Sequence, residues 1–260
     1  MARPAPAVDR AVDVLDFLTD NPRDAFSLSE LARRLDMNKA SAHATLSALV
    51  DRGYLLRHPV RKDYRLGPRL IAVGEAARDQ YPVVEFARAE LRRLGEDLGT
   101  ECVASAPIGD EMVIVDQAGP VRPIGLTVAV GHRFPLVPPM GTIFMAWSSP
   151  EEIDQWLRRV EVSDDERERY RAALAAVRER GWSAGRDSDD YQLLETERSA
   201  EWSVTTLGAP VFDTDGAVAL GLFVLAFRDA LSADQVPDVA ERLTKATTAI
   251  TESIHGRHPG

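Results

Sequence analysis

Between Lys39 and Arg65 the chain sets out two groups of side chains suited to binding a polyanion. Lys39, Ser41, His43, Thr45 and Ser47 lie away from an apolar stripe of Ala42, Leu46, Leu49 and Val50 that repeats at helical spacing. Short hydroxyls and a cation near a helix start can reach base edges or phosphates in a DNA major groove. The free N–H groups of that helix start also favour a phosphate. A few residues on, Arg57, His58, Arg61, Lys62 and Arg65 gather against one acid, Asp63. Cations there would hold phosphates or enter a minor groove beside the helix. The candidate DNA contacts are therefore Ser27, Lys39, Ser41, His43, Thr45, Ser47, Arg57, Arg61, Lys62 and Arg65.

Residues that could carry catalysis are scattered. Cys102, the one cysteine, sits in an apolar strand-like run and reads as a buried hydrophobe. His132 reads as a loop residue, and His255 and His258 fall in a C-terminal tail that reads as disordered. The acidic run Asp187–Asp190 lacks the ordered ligand spacing of a calcium loop and reads as a solvated loop. There is no phosphate-cradling glycine loop and no H-E-x-x-H. The sequence therefore points to no catalytic residue, no metal and no cofactor. A winged helix can also dock proteins, so the competing reading is an enzyme or small-molecule-binding module that uses its head for protein–protein interaction.

The elements that must position the cations are legible in the preceding residues. Val8, Val12, Leu15 and Leu18, widened by Val14 and Phe17, predict a first helix with one apolar face, closed by Pro22. Ser27 and Glu30 stand three apart, as in a capping box, ahead of a second helix with the stripe Leu28, Leu31 and Leu35. Asn38 suits the N-cap of the third helix and Gly53 its end. "YLLRHPVRKDYRL" reads as two strands about a turn at residues 58–62. Three helices and a hairpin make a winged helix-turn-helix pattern.

Beyond it, "PRLIAVGEAARDQY" predicts a joining helix, and Val84, Ala87, Leu91, Leu94 and Leu98 mark another. Short strand-like runs follow, at "TECVASAPI", "EMVIVDQAG" and "IGLTVAV", then helical segments, a strong hairpin around "DTDG" and a closing amphipathic helix. The expected class is α+β with an antiparallel sheet flanked by helices. The expected domains are a head at 1–67, a linker helix at 68–81 and an α+β body at 82–256.

Charge separates the parts. The 260 residues carry a formal net charge of -10, yet residues 1–70 hold 12 Lys and Arg against 9 Asp and Glu. A mildly basic head on an acidic body can bind nucleic acid through the head alone. No apolar run approaches the roughly 18 residues of a membrane span, and the N-terminus lacks a signal-peptide pattern, so a cytoplasmic protein with no membrane partner is expected.

With these residues in place the chain resembles the IclR (isocitrate lyase regulator) family of bacterial transcription regulators. The resemblance rests on "DRAVDVLDFL", "SLSELARRLDMNKASAHATLSALVDRGYL" and "YRLGPRLIAVGEAA" in the head, and on "VGHRFPL", "VRERGWS" and "GAPVFDTDG" in the body. It implies a winged helix-turn-helix, a linker helix and a GAF-like effector-binding domain. It further implies a homodimer through the heads, often paired into a dimer of dimers, that binds double-stranded operator DNA and a small-molecule effector. Such regulators repress or activate genes, often for catabolism, and a repressor is expected here. The chain departs from the family pattern at Ala44, where Arg is usual, and at Thr142, where Lys is common. Thr206 takes the place of a Cys, and Phe223 and Leu225 replace small polar residues.

Strand alternation puts Gly221, Phe223, Leu225 and Phe227 on one face and Leu222 and Val224 on the other. If the first face lines the family's pocket, that pocket is apolar and suits a hydrophobic or aromatic ligand, because an unpaired carboxylate would be costly to bury there. The candidate effector contacts are Leu136, Met140, Gly141, Met145, Val204, Thr206, Phe223 and Leu225.

Overall fold

A computed structural model describes residues 5–120, 128–138, 140–159, 163–185, 203–226 and 230–259. The acidic run at 187–190, Phe227 and residues 124–127 of the expected "IGLTVAV" strand lie outside them. The chain divides into two units, Met1–Tyr81 and Pro82–Gly260.

The first unit begins with α1 (Pro6–Asp20), followed by β1 (Phe26–Ser27), α2 (Leu28–Arg34), α3 (Lys39–Asp51), β2 (Leu55–Arg57), β3 (Asp63–Leu66) and α4 (Arg69–Gln80). The local start signals act as the sequence suggests. Ser27 accepts from the Glu30 N–H while the Glu30 carboxylate accepts from the Ser27 N–H and hydroxyl. Those hydrogen bonds hold the Glu30 carboxyl below its usual range. Asn38 accepts from the Ser41 N–H at the start of α3. Val14, Leu18, Phe26, Leu31, Leu46, Leu55 and Tyr64 form the core.

The wing and α1 differ from what the sequence predicts. The wing has three strands in the order β1-β3-β2, because Phe26 pairs with Tyr64 and Ser27 with Asp63. A two-residue strand is too short to show alternation. In α1 the core takes Val14 and Leu18, whereas Val8 and Val12 are 60% and 44% exposed. The apolar residues of α1 spread over a wider arc than one contact face can cover, so the first two turns keep an apolar strip in solvent. α4 buries no residue, and its Ile71 is 69% exposed.

The second unit opens with α5 (Pro82–Leu98), β4 (Glu101–Ile108), β5 (Glu111–Ala118) and β6 (Arg133–Pro135). It continues with α6 (Thr142–Met145), α7 (Pro150–Arg159), α8 (Asp164–Arg180) and β7 (Ser183–Gly185). It ends with β8 (Ser203–Val204), β9 (Thr206–Phe212), β10 (Val218–Leu225), β11 (Leu231–Ser232) and α9 (Val236–Ser253). A six-stranded antiparallel sheet runs β6-β5-β4-β10-β9-β7. Residues of α5 and α9 pack on one face with Leu207, Ala209, Leu222 and Val224. On the other, residues of α6, α7 and α8 pack with Val103, Ile114, Phe223 and Leu225. α8 starts on a Ser163–Glu166 capping box and stops at Gly181, whose φ of 81° is left-handed.

The tail is not disordered. Gly256 lies so close to Phe212 that a Cβ would sit 1.9 Å from its carbonyl oxygen. The His258 ring packs on Phe212 at 4.7 Å, and Arg257 donates to the Thr214 carbonyl. No periodic signal marks these residues, because the tail is held by single contacts, among them those to the β9–β10 hairpin.

Candidate functional site

The first candidate surface is built on α3. Lys39, Ala40, His43, Ala44 and Ala48 are exposed, Ser41, Thr45 and Ser47 are half-buried, and Ala42 and Leu46 face the core. The i, i+4 pair Lys39 and His43 therefore lies in the open, with alanines beside it that let another surface come close. Ser41 and Thr45 sit at the margin. The Ser27 hydroxyl is committed to the cap of α2.

The wing carries the cations. Arg57 lies over the Tyr64 ring, 5.6 Å from its centroid, and remains exposed, as do Lys62 and Arg65. Arg61 pairs with Asp63 at 2.7 Å. His58 Nδ1 accepts from the N–H groups of Val60 and Arg61 and so shapes the wing tip. Lys62 adopts a φ of 61°, uncommon for a side chain of its size, which turns the hairpin back into β3.

The second candidate surface is the sheet face that packs with α6. Strand register sets its members. Phe223 pairs with Val103 on one side and Gly208 on the other, Leu225 with Glu101 and Thr206, and Gly221 with Ser105 and Pro210. Directly opposed residues share a face. Phe223, Leu225 and Thr206 are thus together, and Leu136 and Met145 are buried in the same core, with Met140 packed on it. Gly141 begins α6 in a turn so close that a Cβ would meet the Val137 nitrogen at 2.7 Å.

Val204 does not belong to this group. It lies in β8, paired with β11, and is buried in the α5–α9 core on the opposite face. Alternation counted back through Thr206 misplaces it, because Thr205 interrupts the strand between β8 and β9. The Phe223 ring fills the face itself. A Cβ on Gly208 or Gly221 would come within 2.6 or 2.8 Å of it, so these glycines are the room the ring occupies.

Sequence reading missed the polar side chains of this face. Glu101 Oε1, Gln117 Oε1 and Ser105 Oγ are sealed from solvent and have no hydrogen-bond partner, as is Thr142 Oγ1 on α6. Gln117 pairs with Val103, so it shares the face of Glu101 and Phe223. An irregularity between Ala104 and Ser105 breaks the alternation that would otherwise have flagged it. Burial pushes the Glu101 carboxyl up. Burial, with Glu101 next in importance, pushes the Cys102 thiol up to about 12, which leaves it an inert hydrophobe. Among the described residues no group of three or more His, Cys, Asp or Glu could hold a metal ion. No helix among them is long and apolar enough to cross a membrane.

A separate groove of about 750 Å³ runs along α9, lined by Arg180, Trp182, Glu241, Thr244, Lys245 and Glu252. Arg180 stacks on Trp182 at 4.3 Å and donates to its carbonyl. The groove is wide open to solvent, and its charged lining holds two cations and two acids.

Comparison with known proteins matches both units. The IclR helix-turn-helix domain model covers residues 7–59 and the bacterial transcriptional regulator IclR C-terminal model covers residues 75–252. The HTH-type transcriptional regulator BhcR of Paracoccus denitrificans is 31% identical over 225 residues, 84% of this chain and 76% of BhcR. An IclR transcriptional regulator from Alicyclobacillus acidocaldarius has a similar crystal structure, with a TM-score of 0.75 and 24% identity over 96% of this chain and 99% of that one. An IclR homologue from Microbacterium hydrocarbonoxydans, complexed with 4-hydroxybenzoate, gives a TM-score of 0.73 at 20% identity over 96% and 99% of the two chains.

Proposed function

The chain belongs to the IclR family of bacterial transcriptional regulators, and from that premise we propose that it is a repressor of a catabolic operon whose hold on operator DNA is set by a small hydrophobic or aromatic metabolite. The observation that carries this reading is the exposed Lys39–His43 face of α3 standing beside Arg57, Lys62 and Arg65 of the wing, in a chain that is otherwise strongly acidic. α3 enters the major groove, and the wing holds the adjacent backbone. The alternative of a docking module for proteins explains the cations less well, since an acidic partner would meet the charge of this chain's own body. DNA as target places the protein in the cytoplasm. The residues proposed to act are those of 1–67, with 68–81 as lever and 82–256 as sensor.

The test is fluorescence anisotropy on DNA from upstream of the protein's own gene, across a salt series. Arg65→Ala is expected to weaken binding at every sequence and to lower the salt slope by about 1, the loss of one phosphate contact. Arg61→Ala is expected to do less, because Arg61 already pairs with Asp63. Binding that ignores salt, or an Arg65→Ala protein that binds as before, overturns the reading.

Val8 and Val12 on α1, with Ile71 and Val73 on α4, leave apolar surface in water that a two-fold partner copy would cover. A symmetric dimer would then read two half-sites. Ile71→Asp is expected to shift the sedimenting species toward monomer and to lose operator binding while half-site binding persists. An unchanged sedimentation profile removes these helices from the interface. The sheet face under Phe223 receives the effector. Its sealed, unpaired hydrogen-bonding atoms are what an ordinary apolar core would lack.

A further inference from the structure

We infer that the effector carries a nitrogen N–H donor head, an ammonium or amidinium on an apolar body, which seats against the side-chain oxygens of Glu101 and Gln117. The inference rests on the reading that the sheet face under Phe223 is the effector site, and it names the chemistry of that site.

The register brings the two residues to one face as diagonal neighbours. Glu101 pairs with Leu225 across β4 and β10, and Gln117 pairs with Val103 across β4 and β5. Glu101 and Val103 are two residues apart on one strand, so they share a face and stand roughly 7 Å apart. Gln117 is then the diagonal neighbour of Glu101, a separation that long side chains span. Both orphaned atoms are acceptors: a carboxylate oxygen and an amide oxygen. Leaving such acceptors sealed and unpaired is costly, the more so for a charged one. A ligand that brings two or more N–H donors removes that cost. A hydroxyl brings one, and a carboxylate brings none.

The surroundings agree. Among the described residues of β4, β5, β9 and β10, Glu101 is the one charged side chain on this face. The others are Val103, Ser105, Met112, Ile114, Gln117, the Thr206 row and the Phe223 row. From these four strands a carboxylate ligand would meet an acid and no base. Desolvation already disfavours the Glu101 charge, and a cation beside it would restore that charge. Leu225 and Phe223 lie next along the row, with Met145 in the same core, so the neighbours of the head are apolar.

The test uses the full-length protein with benzamidine, benzyl alcohol and benzoate as probes, by isothermal titration and thermal shift. Benzamidine is expected to bind at least about tenfold tighter than benzoate, which corresponds to roughly 1.4 kcal/mol. Glu101→Gln is nearly isosteric and is expected to lose that preference while folding as stably as the parent. Gln117→Met, the second variant, is expected to weaken benzamidine and leave benzyl alcohol unchanged. Equal binding of benzoate and benzamidine, or a Glu101→Gln protein that keeps the preference, overturns the inference. If benzoate binds and is lost in Phe223→Trp, the donor head falls while the effector site stands. If no probe binds and none alters DNA affinity, both fall.

Discussion

Leu46→Ala is expected to cost the N-terminal unit about 2–5 kcal/mol and to abolish operator binding while the second unit stays folded. Leu46 is 0% exposed and belongs to a core of few large side chains, with Val14, Leu18, Leu31, Leu55 and Tyr64. A unit of this size holds a small margin of stability, so losing one central leucine consumes most of it. α3 is also the element that presents Lys39 and His43, so the loss of its anchor removes the proposed DNA contacts along with the fold. The four tryptophans, at 147, 156, 182 and 202, all belong to the second unit, which makes the experiment clean. Far-UV circular dichroism of the variant should gain an early transition, while the tryptophan fluorescence melt stays where it is in the parent. Ala44→Ser, on the exposed face of α3, serves as control and should leave both melts unchanged. Retained operator affinity in Leu46→Ala would show that α3 is not the reading element.

What could be read from the sequence follows from how local each signal is. Ser27 with Glu30, Asn38, Ser163 with Glu166, and Gly181 act within one turn of chain, so their types and spacing are enough. The alternation of Phe223 and Leu225 against Leu222 and Val224 is likewise local, and the two pairs lie in different cores. The face of α1 was not local information. Six apolar side chains offered more than one arc, and only the partners Phe26, Leu31 and Leu46 select the arc of Val14 and Leu18. β1 depends on partners far along the chain, since Phe26 pairs with Tyr64 and Ser27 with Asp63. Val204 was misplaced because its strand pairs with β11 and leaves the sheet that Thr206 joins. Glu101 and Gln117 escaped notice for a related reason. Each reads as an ordinary polar residue at a strand end, and only the register across β4 and β5 shows that the two share one face of the sheet. Composition and spacing thus yield the class of protein and the exposed cations of α3 and the wing. The chemistry of the face under Phe223 needs the pairing of strands distant in sequence.

Trp156→Ala is expected to cost the second unit about 3–5 kcal/mol and to weaken the effector response without touching the effector. Trp156 is 1% exposed on α7, and its indole N–H donates to the Leu136 carbonyl. Its ring also packs edge-on against Tyr170 of α8 at 6.4 Å. The one side chain therefore ties α7 and α8 to the segment that runs from Leu136 through the tight Gly141 turn into α6, the helix that covers Phe223. For a unit of this length, each kcal/mol corresponds to roughly 2–4 °C, so the fluorescence melt should fall by about 6–20 °C. Trp156→Phe keeps most of the packing and deletes the hydrogen bond, leaving the Leu136 carbonyl unpaired. It should cost about 1–3 kcal/mol, and it tests the positioning role at a smaller price in fold. In that variant the DNA affinity of the effector-free protein should match the parent, since the head carries no part of the change. The concentration of probe needed to release DNA should rise, because the segment bearing Leu136 and Gly141 is no longer pinned over the sheet. A Trp156→Phe protein that melts lower and yet responds to the probe as before would place the effector site away from α6.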